Sequence, residues 1–189
     1  MEKKKPWRYK RNKARNQRVT ALEKNQSWSI DFVSDQLHNG KRFRVFTVVD
    51  QFSRLCPILE ARSSYKAIDV VNSLKRIERR YGIPKQINLD NGPEFISKEL
   101  DLWAYARGVK LEFSRPGKPT DNAFIESFNG RFREECLNQN WFLSLEDVQS
   151  KLDAWRLDYN HVRPHSSLGY VSPIQYLAES MKQRGKSNF

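Results

Sequence analysis

The sequence predicts an α/β fold in which helices flank a five-stranded mixed sheet. Two observations support this prediction. Three segments with the side-chain pattern of β-strands come first, and from residue 64 onward helical and β-type segments alternate. The chain has 189 residues, of which 38% are hydrophobic and 12% aromatic, and this suits one domain with its own core. A chain that is disordered throughout is therefore disfavoured.

The first three strands are predicted to form an antiparallel meander. Apolar and polar residues alternate over Ser27–Asp35, and a turn containing Asn-Gly follows at His38–Lys41. The second strand, Arg42–Val49, ends in Val-Phe-Thr-Val-Val, a run that is typical of a buried strand. Leu55–Ala61 is the third strand.

Helical spacing begins after the meander. Apolar residues recur at helical spacing over Ser64–Tyr81, and Gly82 and Pro84 end this helix. Gln86–Asp90 is a short fourth strand, and Ser97–Arg107 is a second helix. This alternation favours a sheet with helices on its faces.

The remaining elements continue the same order. Val109–Phe113 is predicted as the fifth strand, and Arg115–Asn122 is a loop by its Pro, Gly and Asn content. A long helix should cover Ala123–Leu137. Another should begin at Ser144, with Asp147 as its capping-box partner.

Positive charge is concentrated at the two ends of the chain. Residues 1–18 carry five Lys and four Arg against one Glu, a formal charge of +8, and three basic residues after Met181 add +3. The segment between is almost neutral. We therefore divide the chain into a basic arm (1–24), a core (25–177) and a basic tail (178–189). Basic arms bind polyanions, most commonly nucleic acid, although a solvated terminus explains the charge equally well.

Composition also argues against several classes of protein. No apolar run approaches eighteen residues and the N-terminus is polar, which disfavours a membrane-spanning or secreted protein. Cys56 and Cys136 lie eighty positions apart and are the two cysteines of the chain, so a disulfide framework and a Cys-based zinc site are both disfavoured. A reducing cytoplasm is the expected compartment.

Three acidic residues stand out by their positions in the predicted elements. Asp31 lies midway along the first strand, Asp90 ends the fourth strand, and Glu126 lies early in the long helix with 35 residues between it and Asp90. Ligands gather at the carboxyl ends of strands in open α/β sheets. Spacing alone is weak support, because Asp–Glu pairs at this offset also arise by chance. A helix cap or a solvated surface group is the alternative for any single acid.

At these residues the chain resembles the catalytic core of retroviral integrases and, more closely, the transposases of bacterial insertion sequences. Five segments carry the resemblance in the family's order: Asn25–Phe32 (N-Q-S-W-S-I-D-F), Leu89–Phe95 (L-D-N-G-P-E-F), Ser114–Asn122 (S-R-P-G-K-P-T-D-N), Ile125–Gly130 (I-E-S-F-N-G) and Tyr159–Gly169 (Y-N-H-V-R-P-H-S-S-L-G). The resemblance implies a ribonuclease-H-like fold and a D-D-E metal triad on Asp31, Asp90 and Glu126.

The activity implied by the resemblance is nicking of DNA at the 3′ ends of an element and transfer of those ends to target DNA. Both steps are in-line attacks on phosphorus, in which two divalent ions about 3.5–4 Å apart activate the attacking oxygen and stabilise the leaving one. Mg²⁺ or Mn²⁺ prefers oxygen ligands. Three carboxylates therefore suit two such ions, without a thiol or an imidazole.

Several residues are candidates for DNA contacts. Arg133 lies two helical turns after Glu126 on nearly the same face, and a basic residue at this position contacts DNA in the family that the chain resembles. An ordinary salt bridge is the alternative for Arg133. On the same side lie Asn122 and Asn129, although Asn122 could instead cap the helix, a role that Thr120 or Asp121 fits better. The remaining candidates for phosphate contacts are Lys118, Arg11, Lys13 and Arg15.

Other polar residues are expected to be structural. Asp50 is interpreted as a turn former, and Glu94 as a residue that shapes the loop after Asp90, with metal or water contact as its alternative. His161 and His165 have the spacing of zinc ligands but no further partners, so a structural or DNA-contacting role is favoured.

Large aromatic residues are expected in the core. Trp28 and Trp155 are predicted to be buried and not to stack on bases. The long helix should likewise bury the stripe of Phe124, Phe128 and Phe132.

Two other functions stay open from the sequence. One is a nuclease of the same fold without strand transfer, and the other is an inactive DNA-binding remnant of a mobile element, against which the three intact acids argue. By analogy, the protein is expected to form a homo-oligomer on DNA. Relatives of this kind usually carry an upstream region that recognises the element's ends, so a missing segment or a partner chain is expected to supply it. The expected location is the bacterial cytoplasm, at the nucleoid, with no membrane association.

Overall fold

The computed structural model describes residues 21–115 and 122–186, with side chains up to residue 183. The elements in chain order are β1 (Ser27–Gln36), β2 (Arg42–Asp50), β3 (Ile58–Arg62), α1 (Ala67–Tyr81), β4 (Gln86–Leu89), α2 (Lys98–Arg107), β5 (Lys110–Phe113), α3 (Ala123–Phe132), α4 (Leu145–His161) and α5 (Pro173–Lys186). The strands form one sheet in the order β3-β2-β1-β4-β5. Strands β1 to β3 are antiparallel, whereas β4 is parallel to β1 and β5 to β4. The predicted five-stranded mixed sheet is confirmed.

Side-chain alternation along the strands divides the core into two layers. Ile30 and Phe46 point to one face of the sheet, where they pack with α1 and α2. Val33 and Val45 point to the other face, which α3 and α4 cover. Because successive strand residues face opposite ways, Asp31 lies on the face covered by α3.

Helix caps follow the sequence signals with one difference. The Ser97 hydroxyl accepts the backbone N–H of Leu100 (3.2 Å) at the start of α2. The Ser144 hydroxyl accepts the N–H of Asp147 (3.2 Å) at the start of α4, as predicted. The Asp147 carboxylate, however, accepts the N–H of Leu143 (3.0 Å) and not that of Ser144. The predicted capping box is therefore wrong in its second half.

Several elements differ from the predictions, including α1, which begins at Ala67 and not at Ser64. Strand β3 begins at Ile58 and not at Leu55, because a turn returns the Asp50 N–H to the Leu55 carbonyl (2.9 Å). The helix predicted to end at Leu137 changes pitch, since α3 ends at Phe132 and the next five residues form one π-helical turn. Helix α5 was not predicted, and it runs across residue 177, where we divided core from tail.

Two further observations concern class and compartment. Within the described ranges, no helix combines the length and the apolar character needed to cross a membrane. Cys56 and Cys136 are both buried and free. Burial raises the pKa of both thiols, so neither is a reactive thiolate at neutral pH.

Candidate active site

Asp31 lies near the middle of β1, at the centre of the sheet. Its Oδ1 accepts the backbone N–H of Phe32 (2.7 Å), and its Oδ2 accepts Nδ2 of Asn129 from α3 (2.8 Å). Strand β4 pairs with β1 only over Ser27–Ser29, so the edge of β1 at Asp31 is not covered by β4. Each carboxylate oxygen of Asp31 thus accepts a hydrogen bond, at a position of β1 that lies beyond its pairing with β4.

Asp90 follows directly after β4, on the loop that leads to α2. Its Oδ1 accepts the backbone N–H of Gly92 (2.9 Å). A Cβ atom on Gly92 would lie 3.0 Å from that oxygen and 3.4 Å from Oε2 of Glu94. Real Cβ atoms rarely come so close to another atom. A side chain at position 92 would therefore push the Asp90 carboxylate by a few tenths of an ångström.

Glu126 lies in the first turn of α3 and is exposed. The charge of Glu126 acts on Asp31. Burial, together with the negative charges of Asp90 and Glu126, raises the pKa of Asp31 to about 6, against the hydrogen bonds from Phe32 and Asn129. Acids from the loop after β4 and from α3 are therefore near enough to Asp31 on β1 to act on it electrostatically.

Unpartnered oxygens around these acids bear on whether the site fits a cation. Ser114 Oγ, Asn122 Oδ1 and Asn129 Oδ1 are buried and have no hydrogen-bond partner among the described residues. All three lie in segments that flank the acids. Over residues 21–115 and 122–186, no three Asp, Glu, His or Cys side chains already form a metal site. The donor chemistry, carboxylates with spare amide and hydroxyl oxygens, nevertheless fits a hard divalent cation.

The predicted DNA-contact residues separate into three groups. Arg133 is exposed and donates to the Ser34 carbonyl (2.9 Å), with no carboxylate partner among the described residues. Asn122 is only 8% exposed and its side chain makes no helix cap, while Asn129 is engaged with Asp31. Contact with DNA stays a prediction for these three. Residues outside the described ranges include Lys118, Arg11, Lys13 and Arg15, as well as the predicted caps Thr120 and Asp121.

An aromatic and ionic cluster beside Asp31 was not recognised from the sequence. Phe32 stacks on Phe95, with ring centroids 5.2 Å apart, and the Arg44 guanidinium lies 4.1 Å from the Phe32 centroid. Arg44 also pairs with Glu94, which is on the same loop as Asp90. We call these four residues the loop clamp. Glu94 therefore anchors the loop, in agreement with its interpretation as a loop-shaping residue. Its partner Arg44 was not predicted, because the pairing depends on the register of β1 and β2.

Asp50 and the two histidines have structural roles. The Asp50 carboxylate accepts the N–H and the hydroxyl of Ser53 (2.9 and 2.6 Å), which confirms it as a turn former. His165 is 2% exposed and its ring packs edge-on against Tyr159, whereas His161 is exposed. Zinc coordination by this pair is not supported.

The aromatic predictions are confirmed with two exceptions. Trp28 is fully buried, whereas Trp155 is only partly buried and packs against the core on the α3 side. Phe128 and Phe132 are buried, as predicted. Phe124 is only half-buried and lies under the Arg54 guanidinium, 4.3 Å from it, so its predicted core position was wrong.

Comparison with known proteins is consistent with this geometry. One integrase core domain model matches residues 21–119, and a second matches residues 107–173. The chain is 48% identical over 155 residues to an uncharacterized 31.7 kDa protein of insertion element IS407 from Burkholderia multivorans, covering 82% of this chain and 56% of that protein. It is 40% identical over 163 residues to an uncharacterized 39.2 kDa protein of insertion element IS476 from Xanthomonas euvesicatoria, covering 86% and 47%. The chain thus spans about half the length of these relatives.

Two solved structures share the fold. A chain of the simian T-cell lymphotropic virus intasome superimposes with a TM-score of 0.73 at 21% identity, covering 83% of this chain and 55% of that one. The HTLV-2 integrase catalytic core domain in complex with magnesium gives 0.63 at 18% identity, covering 82% and 97%. These likenesses confirm the ribonuclease-H-like fold. Together with the family models, they show that the chain belongs to the integrase core domain family.

Proposed function

We propose that this chain is the catalytic core of an insertion-sequence transposase, which nicks DNA at the element's 3′ ends and joins them to target DNA. The observation that carries the proposal is the electrostatic convergence of Asp90 and Glu126 on Asp31. Family membership and the two insertion-element relatives support it.

The three acids have distinct positions in the proposed D-D-E triad. When bound, two Mg²⁺ or Mn²⁺ ions supply activation of the attacking hydroxyl and stabilisation of the leaving oxygen. Asp31 and Asp90 would be shared between the ions, and Glu126 would complete the second position. Asn129 holds Oδ2 of Asp31 from α3, and this bond fixes the orientation of the carboxylate on the open edge of β1. The magnesium complex of the HTLV-2 integrase core supports the choice of a divalent cation.

The proposed partners are the element's ends, target DNA and further copies of the chain. Arg133, Lys118 and the basic arm with Arg11, Lys13 and Arg15 would hold phosphates, with little dependence on base sequence. The intasome and the HTLV-2 integrase core, which is described in dimeric and trimeric forms, support assembly of several copies. A missing segment or a partner chain would recognise the ends, and the bacterial nucleoid is the proposed place of action.

The decisive experiment compares wild type with Asp90→Asn in metal-dependent nicking and oligonucleotide joining on supercoiled plasmid. We expect joining by the wild type with Mg²⁺ or Mn²⁺ and none by the variant, while binding to DNA in EDTA is nearly unchanged. Asp101→Asn, an exposed acid on α2, is the matched control and should join like the wild type.

Each outcome separates the candidate functions. Nicking without joining would favour a nuclease of the same fold. Binding without any metal-dependent cleavage would favour an inactive DNA-binding remnant. Equal cutting by wild type and Asp90→Asn would show that the triad is assigned wrongly.

A further inference from the structure

A second polar cavity lies on the other side of α3 from Asp31. Its volume is about 270 Å³, and it lies where α3 meets the turn after β2 and the short 3₁₀ turn at Ser166–Leu168. The polar residues that line it are Arg54, Ser127, Arg131, His165, Ser166 and Ser167. No carboxylate lines this cavity among the described residues. A cavity of this size accommodates a small group and is below the size of typical pockets for drug-sized ligands.

Arg54 is held rigidly at one wall of the cavity. Its backbone has a φ of +61°, a left-handed conformation that is uncommon for a residue with a side chain. Its Nη1 donates to the Gln51 carbonyl (2.6 Å), and its guanidinium lies over the Phe124 ring, 4.3 Å from the centroid. Burial lowers the pKa of Arg54, but an arginine stays charged at neutral pH. A fixed positive charge thus lies here at a cost in backbone strain and desolvation.

Arg131 supplies a second positive charge from α3. It is exposed, and neither it nor Arg54 forms an ion pair with a carboxylate of the described residues. Asp50 does not line the cavity and forms no ion pair with Arg54, although its charge acts on Arg54, and its carboxylate accepts hydrogen bonds from Ser53 and from the Asn25 N–H. The cavity therefore presents two guanidinium groups that are not ion-paired with a carboxylate of the described residues.

The effect of this charge is visible on His165. Burial lowers the pKa of His165, and the positive charges of Arg163, Arg131 and Arg54 lower it further, against the hydrogen bond to the Tyr159 carbonyl. Of the three arginines, Arg163 is paired with Glu135. Arg54 and Arg131 form no ion pair with a described carboxylate, although Asp50 offsets part of the Arg54 charge, so an anion that entered the cavity would meet a net positive charge.

We propose that this cavity binds one phosphate group of a DNA strand, between Arg54 and Arg131 and within reach of the hydroxyls of Ser127, Ser166 and Ser167. Planar guanidinium groups bind phosphate oxygens through paired, charge-assisted hydrogen bonds, and hydroxyls add further donors. Ser127 directly follows Glu126, so the cavity and the candidate triad lie on different sides of the same helix, α3. Under the proposed function, a DNA strand engaged at the triad would extend across α3 to the cavity. The choice of DNA as the source of the phosphate rests on the proposed function, whereas the anion site itself does not.

The test measures binding of the full chain to a short DNA duplex in EDTA over a range of salt concentrations. Three variants are compared with the wild type: Arg131→Gln, Arg54→Gln and the double variant. Arg79→Gln is the matched control, because Arg79 is an exposed arginine on α1, across the sheet from the cavity. Binding in EDTA does not require the triad. The binding result can therefore be interpreted even if the proposed catalysis is not observed.

We expect Arg131→Gln to weaken binding roughly tenfold, as loss of a charge-assisted hydrogen bond does, and Arg79→Gln to leave it unchanged. The slope of log K against log salt should fall in magnitude by about 0.9 in the double variant, the value for one phosphate on B-DNA. Two arginines that bind separate phosphates would lower it by about twice as much, and this would overturn the single-phosphate cavity. An unchanged slope and affinity in Arg131→Gln, a surface variant that should fold, would overturn the proposal altogether.

A measurement with inorganic phosphate distinguishes a site for a DNA phosphate from a site for free phosphate. We expect it to raise the melting temperature of the wild type, but not of Arg131→Gln, above that in chloride of equal ionic strength. If phosphate stabilises the wild type while the DNA slope is the same in all variants, the site binds free phosphate and the assignment to DNA is wrong.

Discussion

Asp31 is placed by the alternation of β1 on the face of the sheet that α3 covers. Neighbouring strand residues on this face, such as Val33 and Val45, are buried in the core under α3. A carboxylate in this position is partly removed from water and lies near two other acids, so its charged form is disfavoured. A side chain that costs stability and persists in the core is typical of a functional site.

The raised pKa of Asp31 predicts a specific dependence of stability on pH. The unfolded chain has an aspartate pKa of about 3.9, whereas Asp31 in the folded protein has a pKa of about 6. Between these values the unfolded state loses its proton first, so the free energy of unfolding falls as pH rises and the loss is complete above the folded pKa. Asp31→Asn should remove this fall, which is worth at most about 3 kcal/mol.

The measurement is urea unfolding of wild type and Asp31→Asn at pH 4, 5, 6 and 7 in EDTA. The advantage of the variant over wild type should grow across this interval and then level off. Asp101→Asn, whose carboxyl is exposed, should differ from wild type by a constant amount. A constant difference for Asp31→Asn as well would contradict the raised pKa.

Gly92 gives a second prediction at the scale of one residue. In Gly92→Ala, the added methyl would meet Asp90 Oδ1 at 3.0 Å and displace the carboxylate from its turn. A displacement of about 1 Å in an active site can cost on the order of a hundredfold in rate, and the shift required here is a few tenths of an ångström. We therefore expect joining activity to fall by a smaller factor, about tenfold, with a small change in the free energy of unfolding. Joining at the wild-type rate would show that the Asp90 turn tolerates a side chain.

At the scale of elements, the loop clamp joins the two segments that carry Asp31 and Asp90. Phe32 belongs to β1 and Arg44 to β2, whereas Glu94 and Phe95 belong to the loop after β4. Phe95 is fully buried, so the loop is anchored by its aromatic residue as well as by the ion pair. Because Asp31 and Phe32 are consecutive, any shift of this loop against β1 changes the separation of the two acids.

Breaking the ion pair should loosen this attachment. In Glu94→Gln, we expect joining activity to fall about tenfold and the metal concentration for half-maximal activity to rise, because the Asp90 loop loses its ion pair with β2. A charge exchange, Arg44→Glu with Glu94→Arg, should restore part of the activity. Activity and metal requirement equal to wild type in Glu94→Gln would show that the pair does not position the loop.

The matched control for this pair is Arg62→Gln. Arg62 lies beside Arg44 in the β2–β3 register and is ion-paired with Glu60 and Asp69, which are remote from the loop. Its loss should lower stability by no more than about 1 kcal/mol and leave the metal requirement unchanged. A raised metal requirement in this variant too would indicate a general effect of destabilising the sheet.

At the scale of the whole molecule, Asn160 connects α4 to the sheet across 104 residues of sequence. Its Oδ1 accepts the N–H of Cys56 (2.9 Å) and its Nδ2 donates to the carbonyl of the same residue (2.8 Å). Asn160 is 2% exposed. These two bonds satisfy backbone groups of the buried segment before β3, where no strand partner does so.

Asn160→Ala should therefore be strongly destabilising. It leaves a buried N–H and a buried carbonyl without partners, which costs about 2–4 kcal/mol in free energy of unfolding. The control is Asn72→Ala, because Asn72 is exposed on α1, and its change should stay within about 0.5 kcal/mol. Urea unfolding measures both, and equal effects of the two substitutions would contradict a role for Asn160 in joining the layers.

The sequence by itself predicted the class and the sheet, because these depend on local patterns, and it proposed the three acids through segments that resemble a known family. The alternation over Ser27–Asp35 and the helical spacing before Gly82 can each be recognised in a short run of consecutive residues. No such local pattern predicts the helix end at Phe132 or helix α5. A π-helical turn depends on packing, and α5 is a largely polar segment whose buried residue Leu177 acquires partners only in the fold.

Only the tertiary structure decided what surrounds the acids. Strand register brought Arg44 over Phe32 and toward Glu94, and the packing of α3 on the sheet brought Asn129 to Asp31. The same packing formed the basic cavity on the far side of α3. The Arg44–Glu94 and Asp31–Asn129 contacts join residues 50 and 98 positions apart, and their geometry depends on how helices and strands pack together. A sequence pattern can therefore propose candidate site residues, but not the neighbours that set their charge and position.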